Sequence, residues 1–201
     1  MLTVGFDLDM TLVDSGPGIR ASMNALSQES GVPIDVDVVI GRLGPKLEWE
    51  LAQWFPADQV DQMCERYRWH YWDNCVGSGT VLLPGAHDAV EAVRARGGRV
   101  VVVTAKAERL AYRCLDTVGL VVDAVVGHVH GDEKRDALME HAAGIYVGDT
   151  ITDVRSALDA SAIAVGVTTG PDDTRKLVAA GADVVLDSLV DFPAWLATIS
   201  S

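Results

Sequence analysis

Leu2-Thr3-Val4-Gly5-Phe6-Asp7-Leu8-Asp9-Met10-Thr11 decides the fold of this chain. The apolar, β-branched run Thr3 to Phe6 predicts a buried strand, and a charged turn follows it at once. Asp7 and Asp9 are two residues apart, so on an extended segment they project to the same side. Carboxylates at the carboxyl end of a strand stand where open α/β sheets build their sites. There Asp7 can attack phosphorus as a nucleophile, while Asp9 protonates a leaving alkoxide and then activates water. A strand-terminating acidic turn without chemistry has the same local appearance.

Outward from this segment the rhythm of the chain is regular. Further short apolar runs at Arg99–Val103, Val121–Val126, Ile145–Val147, Ile163–Val167 and Asp183–Leu186 predict strands covered on both faces. Helical patterns separate them, at His87–Ala95, Glu108–Val118, Lys134–Ala142, Asp153–Ala160 and Asp173–Ala180. The alternation predicts an α/β fold with a doubly wound, mainly parallel, Rossmann-like sheet.

Residues 15–81 break the alternation. They read as helices over Gly18–Ser30, Val36–Ile40, Leu47–Trp54 and Asp58–Asn74, and hold seven of the chain's twelve aromatic residues. The segment predicts an inserted all-helical cap domain whose aromatics fill its own core, with the core domain formed by residues 1–14 and 82–201. Trp69, Trp72 and Val76 fall on a second face of the last helix, which suits a dimer contact or a wall over a substrate.

Two other strand ends carry candidate chemistry. Thr104, Ala105 and Lys106 follow Arg99–Val103, and a hydroxyl with free backbone N–H groups suits a phosphoryl oxygen. Lys106 itself reads as a solvated charge. Gly148-Asp149-Thr150-Ile151-Thr152-Asp153 follows the fourth strand and adds two carboxylates, hard oxygen donors of the kind Mg²⁺ takes. Asp153 alone would equally suit a helix N-terminus. A cation is needed beside a phosphate, and Lys134 stands 15 positions before Asp149.

Composition narrows the partners. The 201 residues carry 29 acidic and 16 basic side chains, a formal net charge of −13. Such a surface disfavours nucleic acid and anionic membranes, while a small phosphate ester still binds where a metal ion reverses the local sign. Cys64, Cys75 and Cys114 are odd in number and widely spaced, which fits neither a disulfide framework nor a zinc ribbon. The opening residues lack a basic n-region, and no apolar stretch is long enough for a membrane span, so a cytoplasmic protein is expected.

Taken together, the motifs resemble the haloacid dehalogenase-like hydrolase superfamily. Asp7-Leu8-Asp9-Met10-Thr11 is similar to its first motif, Thr104 to its second, Lys134 to its third, and Gly148-Asp149 with Asp153 to its fourth. The helical insert after the first motif resembles the cap of the phosphoglycolate phosphatase and β-phosphoglucomutase branch, with Asp14-Ser15 and Leu83-Pro84-Gly85 as the junctions. The resemblance implies a Mg²⁺-dependent phosphatase working through an aspartyl phosphate on Asp7. Mg²⁺ would be held by Asp7, the Asp9 backbone carbonyl and Asp149, with Asp153 supporting directly or through water. Thr104, Ala105 and Lys134 would bind the phosphoryl group, and Thr11 would shape the turn. Met10 replaces the glycine usual after the second Asp, and Arg135 replaces a common proline, which leaves Arg135 or Lys106 open as the phosphate ligand.

The same scaffold also serves phosphomutases and phosphotransferases, and a receiver-like signalling module uses similar residues without a helical insert after its first strand. The substrate is expected to be a small phosphorylated metabolite and the protein a monomer or homodimer. Arg42 and Lys46, in the loop Gly41–Lys46, are candidates for reading the far end of the substrate. His128 and His130 read as loop or surface histidines rather than a metal pair, and Cys114 as a core residue.

Overall fold

The computed structural model describes residues 2–199. Six parallel strands form the central sheet: β1 (Thr3–Phe6), β4 (Arg99–Val103), β5 (Ala124–Val126), β6 (Ile145–Gly148), β7 (Ile163–Val167) and β8 (Val184–Leu186). Their order across the sheet is β5-β4-β1-β6-β7-β8. β1 is central, with Gly5 opposite Val101 on one side and Tyr146 on the other. Chain order reverses on either side of β1, so the ends of β1, β4 and β6 meet at a topological switch point. A short antiparallel ribbon of β2 (Val13–Asp14) and β3 (Val81–Leu82) lies outside the main sheet.

Helices cover both faces, as the near-continuous apolar strands require. α5 (Ala86–Ala95), α6 (Glu108–Val118) and α10 (Phe192–Thr198) pack with Val4, Phe6, Val100 and Val102. α7 (Asp132–Glu140), α8 (Ile151–Asp159) and α9 (Thr174–Ala180) pack with Val101, Val103 and Tyr146 on the other face. Alternation along β4 thus divides one strand between two cores. α10 was not predicted from the sequence. Its Phe192 is fully buried and meets Phe6 edge-on, ring centroids 5.4 Å apart, and burying such a ring contributes about 1.5–3 kcal/mol.

Between the two ribbon strands the chain forms α1 (Gly16–Ser30), α2 (Val36–Ile40), α3 (Leu47–Leu51) and α4 (Val60–Asn74). α1 starts with Pro17, whose fixed φ suits a first turn, and stops at Gly31 with φ +71°. α4 packs on α1, and its buried Tyr67 and Tyr71 rings stack on each other at 5.7 Å.

Some boundaries move. The strand expected from Val121 begins only at Ala124, because Val121 faces solvent. The helix expected over Leu47–Trp54 ends at Leu51. The aromatics of this segment do not all fill a core: Phe55, Tyr67 and Tyr71 are buried, but Trp49, Trp69 and Trp72 are exposed. Among the described residues no helix is long and apolar enough to cross a membrane.

Candidate active site

Asp7 leaves β1 with its backbone N–H donating to the Val147 carbonyl at 2.8 Å, which extends the β1–β6 pairing to the first carboxylate. The chain then turns tightly, and the N–H groups of Leu12 and Val13 both reach the Leu8 carbonyl at 3.0 Å. Met10 takes φ +61° in this turn, a left-handed conformation costing an L-residue roughly 1–2 kcal/mol. Glycine would adopt it freely, so the departure at this position is conformational rather than chemical. Thr169 pins the turn by donating to the Met10 carbonyl at 2.5 Å, and Thr11 donates to Asp149 Oδ1 at 3.0 Å.

β6 delivers Asp149, and α8 delivers Asp153 from its first turn. Thr150 and Asp153 form a reciprocal capping box, which satisfies two of the orphan N–H groups at the start of α8. Asp153 Oδ2 accepts from the Thr150 amide at 3.1 Å and hydroxyl at 2.6 Å; Oδ1 accepts from Lys134 Nζ at 2.6 Å and Tyr146 Oη at 3.1 Å. The helix-cap and site readings of Asp153 are therefore both realised by one side chain. Two glycines make room. A Cβ on Gly148 would stand 2.4 Å from Asp153 Cβ, and one on Gly170 would stand 1.7 Å from Asp149 Oδ2.

Lys134, on α7, is buried between Asp7 Oδ1 at 3.0 Å and Asp153 Oδ1 at 2.6 Å. Arg135 instead pairs with Asp132 and Asp136, and Lys106 lies against a different carboxylate. Carboxylate oxygens of Asp7, Asp149 and Asp153 all come within 4.8 Å of one another, forming the one group of three or more metal-ligating side chains among the described residues. Three buried carboxylates against one ammonium leave two negative charges without a partner. Burial, which Lys134 only partly offsets, pushes the Asp7 carboxyl up to about 7. Burial and the neighbouring carboxylates raise Asp149 well above the ordinary carboxylate range. Burial acts on Asp153 too, but Lys134 and Thr150 outweigh it and hold its carboxyl low. A cluster with this charge deficit and all-oxygen donors fits a hard divalent cation.

Asp9 sits apart from the trio. Its Oδ1 accepts from Ser15 Oγ at 2.5 Å and pairs with Lys106 Nζ at 3.1 Å. Lys106 is not the solvated cation its sequence position suggested. Its side chain is only 8% exposed, donates to Tyr71 Oη at 3.0 Å, and lies 4.2 Å from the centroid of that ring. Burial opposes its charge, but Asp9 together with Cys114 and Tyr67 outweighs it and raises its pKa. Thr104 is buried, and its amide is not free, since it donates to the Val126 carbonyl at 3.0 Å. Its hydroxyl accepts from the Lys106 amide at 3.2 Å. Thr104 and Ala105 line the same cleft as Asp7, Asp9 and Asp149.

The α2–α3 loop closes over this cleft. Arg42 lines it, but its guanidinium makes a fork to Glu50, with both contacts at 2.7 Å. Lys46 is not among the lining residues and pairs with Glu133 of α7 at 2.5 Å. His128 and His130 follow β5 in a loop; His128 Nε2 is 4.0 Å from Glu48, and neither histidine joins a metal-ligating group. Cys114 is buried, as expected, and its Sγ shares a hydrogen bond with Tyr71 Oη at 3.4 Å. The sequence did not reveal the roles of Tyr71, Thr169 and Gly170, whose only signal was a hydroxyl or a missing Cβ far from any motif, nor that of Ser15, which was read only as part of a junction.

Comparison with known proteins places the chain in a family. The family profile described as haloacid dehalogenase-like hydrolase matches residues 4–167. A phosphoglycolate phosphatase of Agrobacterium fabrum is 31% identical, over 90% of this chain and 86% of that protein. A phosphoglycolate phosphatase of Cupriavidus necator is 31% identical, over 94% of this chain and 90% of its own. Among solved structures, a haloacid dehalogenase-like family hydrolase of Streptococcus pneumoniae superposes with a TM-score of 0.83, at 24% identity and 98% coverage of both chains. The match spans all three strand ends that carry the carboxylates, Thr104 and Asp149, and the chain belongs to the haloacid dehalogenase-like hydrolases.

Proposed function

We propose that this protein is a Mg²⁺-dependent phosphatase that hydrolyses small phosphate monoesters through an aspartyl phosphate on Asp7. The observation that carries the reading is the buried trio Asp7, Asp149 and Asp153 around the single ammonium of Lys134. Likeness to curated phosphoglycolate phosphatases supports a small phosphorylated substrate. Asp7, the Asp9 carbonyl and Asp149 would hold the ion. Asp153 would support it through its neighbours, since both its oxygens already accept two hydrogen bonds. When bound, the ion supplies the positive charge that keeps Asp7 and Asp149 ionised and neutralises phosphoryl oxygens.

The side chains divide the remaining work. Asp7 attacks phosphorus and the ester oxygen leaves with a proton from Asp9. Asp9 then takes a proton from the water that hydrolyses the aspartyl phosphate. Lys134, the Thr104 hydroxyl and the Ala105 amide hold the phosphoryl oxygens, where positioned donors stabilise the spread of charge. Residues 15–81 act as a cap domain that shields this site, carried on a core domain of residues 1–14 and 82–201. Shielding matters because an aspartyl phosphate must meet one positioned water rather than bulk solvent.

The test is phosphate release from a panel of phosphomonoesters with Mg²⁺ and with chelator. Release is expected only with Mg²⁺ and is abolished in Asp7→Asn. Full activity of that variant sinks the nucleophile assignment. Transfer of the phosphoryl group to a second substrate hydroxyl, with no free phosphate, replaces the phosphatase reading with a mutase one.

A further inference from the structure

Part of the cleft lining is an aliphatic wall, formed by Ile19, Met23, Val39, Leu43, Leu47 and Leu110. Four basic side chains also reach the cleft, and each already faces a carboxylate of this chain. Arg42 is forked to Glu50 at 2.7 Å on both nitrogens, and lies 5.4 Å and 5.9 Å from the ring centroids of Trp49 and Trp54. Glu50 is itself buried and accepts a third hydrogen bond, from Trp54 Nε1 at 2.7 Å. Arg68 pairs with Glu48 and, at 2.8 Å, with Glu65. His128 faces Glu48, and Lys106 is held by Asp9 and Tyr71.

From this arrangement, and resting on the phosphatase reading above, we infer that the preferred substrates are phosphate monoesters of uncharged, apolar or aromatic alcohols, and that a carboxylate at the far end of the leaving group is rejected. A distal anion would find Arg42, Arg68 and Lys106 already paired, leaving only the half-exposed His128, whose Nε2 is 4.0 Å from Glu48. Capturing Arg42 would strand the buried Glu50 carboxylate, and an anion placed beside the intact pair would meet that carboxylate as a like charge. An apolar leaving group gains from the aliphatic wall instead and disturbs no ion pair. The preference therefore differs from what the name of the curated relatives implies, because phosphoglycolate ends in a carboxylate.

Two matched pairs of esters test this with wild-type protein and Mg²⁺: benzyl against 4-carboxybenzyl phosphate, and ethyl phosphate against phosphoglycolate. Within each pair the uncharged ester is expected to show kcat/KM at least about tenfold higher, the factor that a single poorly paired charge produces. Glu50→Gln releases the Arg42 guanidinium and is expected to narrow or reverse the benzyl ratio, mainly through KM for the carboxylated ester. Equal or faster hydrolysis of the carboxylated members by wild type overturns the inference and leaves the phosphatase reading standing. A folded Glu50→Gln protein with an unchanged ratio overturns the role given to the Arg42–Glu50 pair. Release from none of the four esters overturns the phosphatase reading, and the inference with it.

Discussion

Replacing Lys134 by Met isolates the electrostatics of the site from its chemistry. The side chain is 3% exposed, one heavy atom longer than the methionine that replaces it, and its ammonium lies 3.0 Å from Asp7 and 2.6 Å from Asp153. The substitution keeps most of the packing and strands two buried carboxylates beside a third. Removing one partner of a buried ion pair costs about 3–5 kcal/mol. For a chain of this length that becomes a fall in Tm of roughly 6–20 °C, at about 2–4 °C per kcal/mol. The assay is thermal unfolding in EDTA near neutral pH, and the loss there is carried mainly by Asp153, because Asp7 already holds part of a proton. The loss shrinks when the pH is lowered, because the stranded carboxyls take up protons, and shrinks again on adding Mg²⁺, which replaces the missing positive charge. A Tm within about 2 °C of wild type in EDTA at neutral pH would refute the reasoning, since the buried charges would then not be held by Lys134.

Three further outcomes are expected. Asp9→Asn slows turnover about 10²–10⁴-fold but keeps the rise in Tm on adding Mg²⁺, because the trio is untouched; an unchanged rate removes the acid–base role. Asp7 carries its proton up to about 7 in the fold, against an ordinary 3.8. The folded state therefore binds more protons than the unfolded one between those values. Stability of the metal-free protein from this group is full below the lower value and is lost as the pH rises through the upper one. Denaturant titrations without Mg²⁺ showing stability rising with pH across that window would contradict the shift. Gly170→Ala drives a methyl into Asp149 and is expected to weaken Mg²⁺ binding, read as a smaller Mg²⁺-induced rise in Tm; wild-type metal response would show that the loop gives way freely.

What the sequence revealed and concealed follows from the range of each interaction. Asp7, Asp9, Asp149 and Asp153 were legible because each stands within a few residues of an apolar strand, and strand ends converge in a parallel sheet whatever the rest of the chain does. Lys134 was legible only from its place in the order of motifs, since nothing local distinguishes it from Arg135. Lys106 was misread as solvated because its partners, Asp9 and Tyr71, are 97 and 35 positions away. α10 was missed for the same reason: Phe192-Pro193-Ala194-Trp195 has no helical periodicity to speak of and is held by contact with Phe6 and α5. The exposed Trp49 shows the opposite error, in which a large aromatic side chain was credited with burial that its helix does not give it, whereas Trp69 and Trp72 lie exposed on the second face set apart in the sequence.

The two carboxylates of Asp7-Leu8-Asp9 lie two residues apart, yet the fold gives them different cations and different access to water. Asp7 is buried and shares Lys134 with Asp153, inside a cluster short of positive charge. Asp9 has a side chain 19% exposed, a hydroxyl donor in Ser15 and its own ammonium in Lys106. A nucleophile and a proton-transfer group need this separation, because two identical carboxylates in one environment would compete for one proton. The separation depends on the helical insert, since Ser15 opens it and Tyr71, which fixes Lys106, lies on its last helix. The insert therefore does more than cover the cleft. It completes the environment of one of the two carboxylates, which ties Asp9 to Tyr71, 62 positions further along the chain.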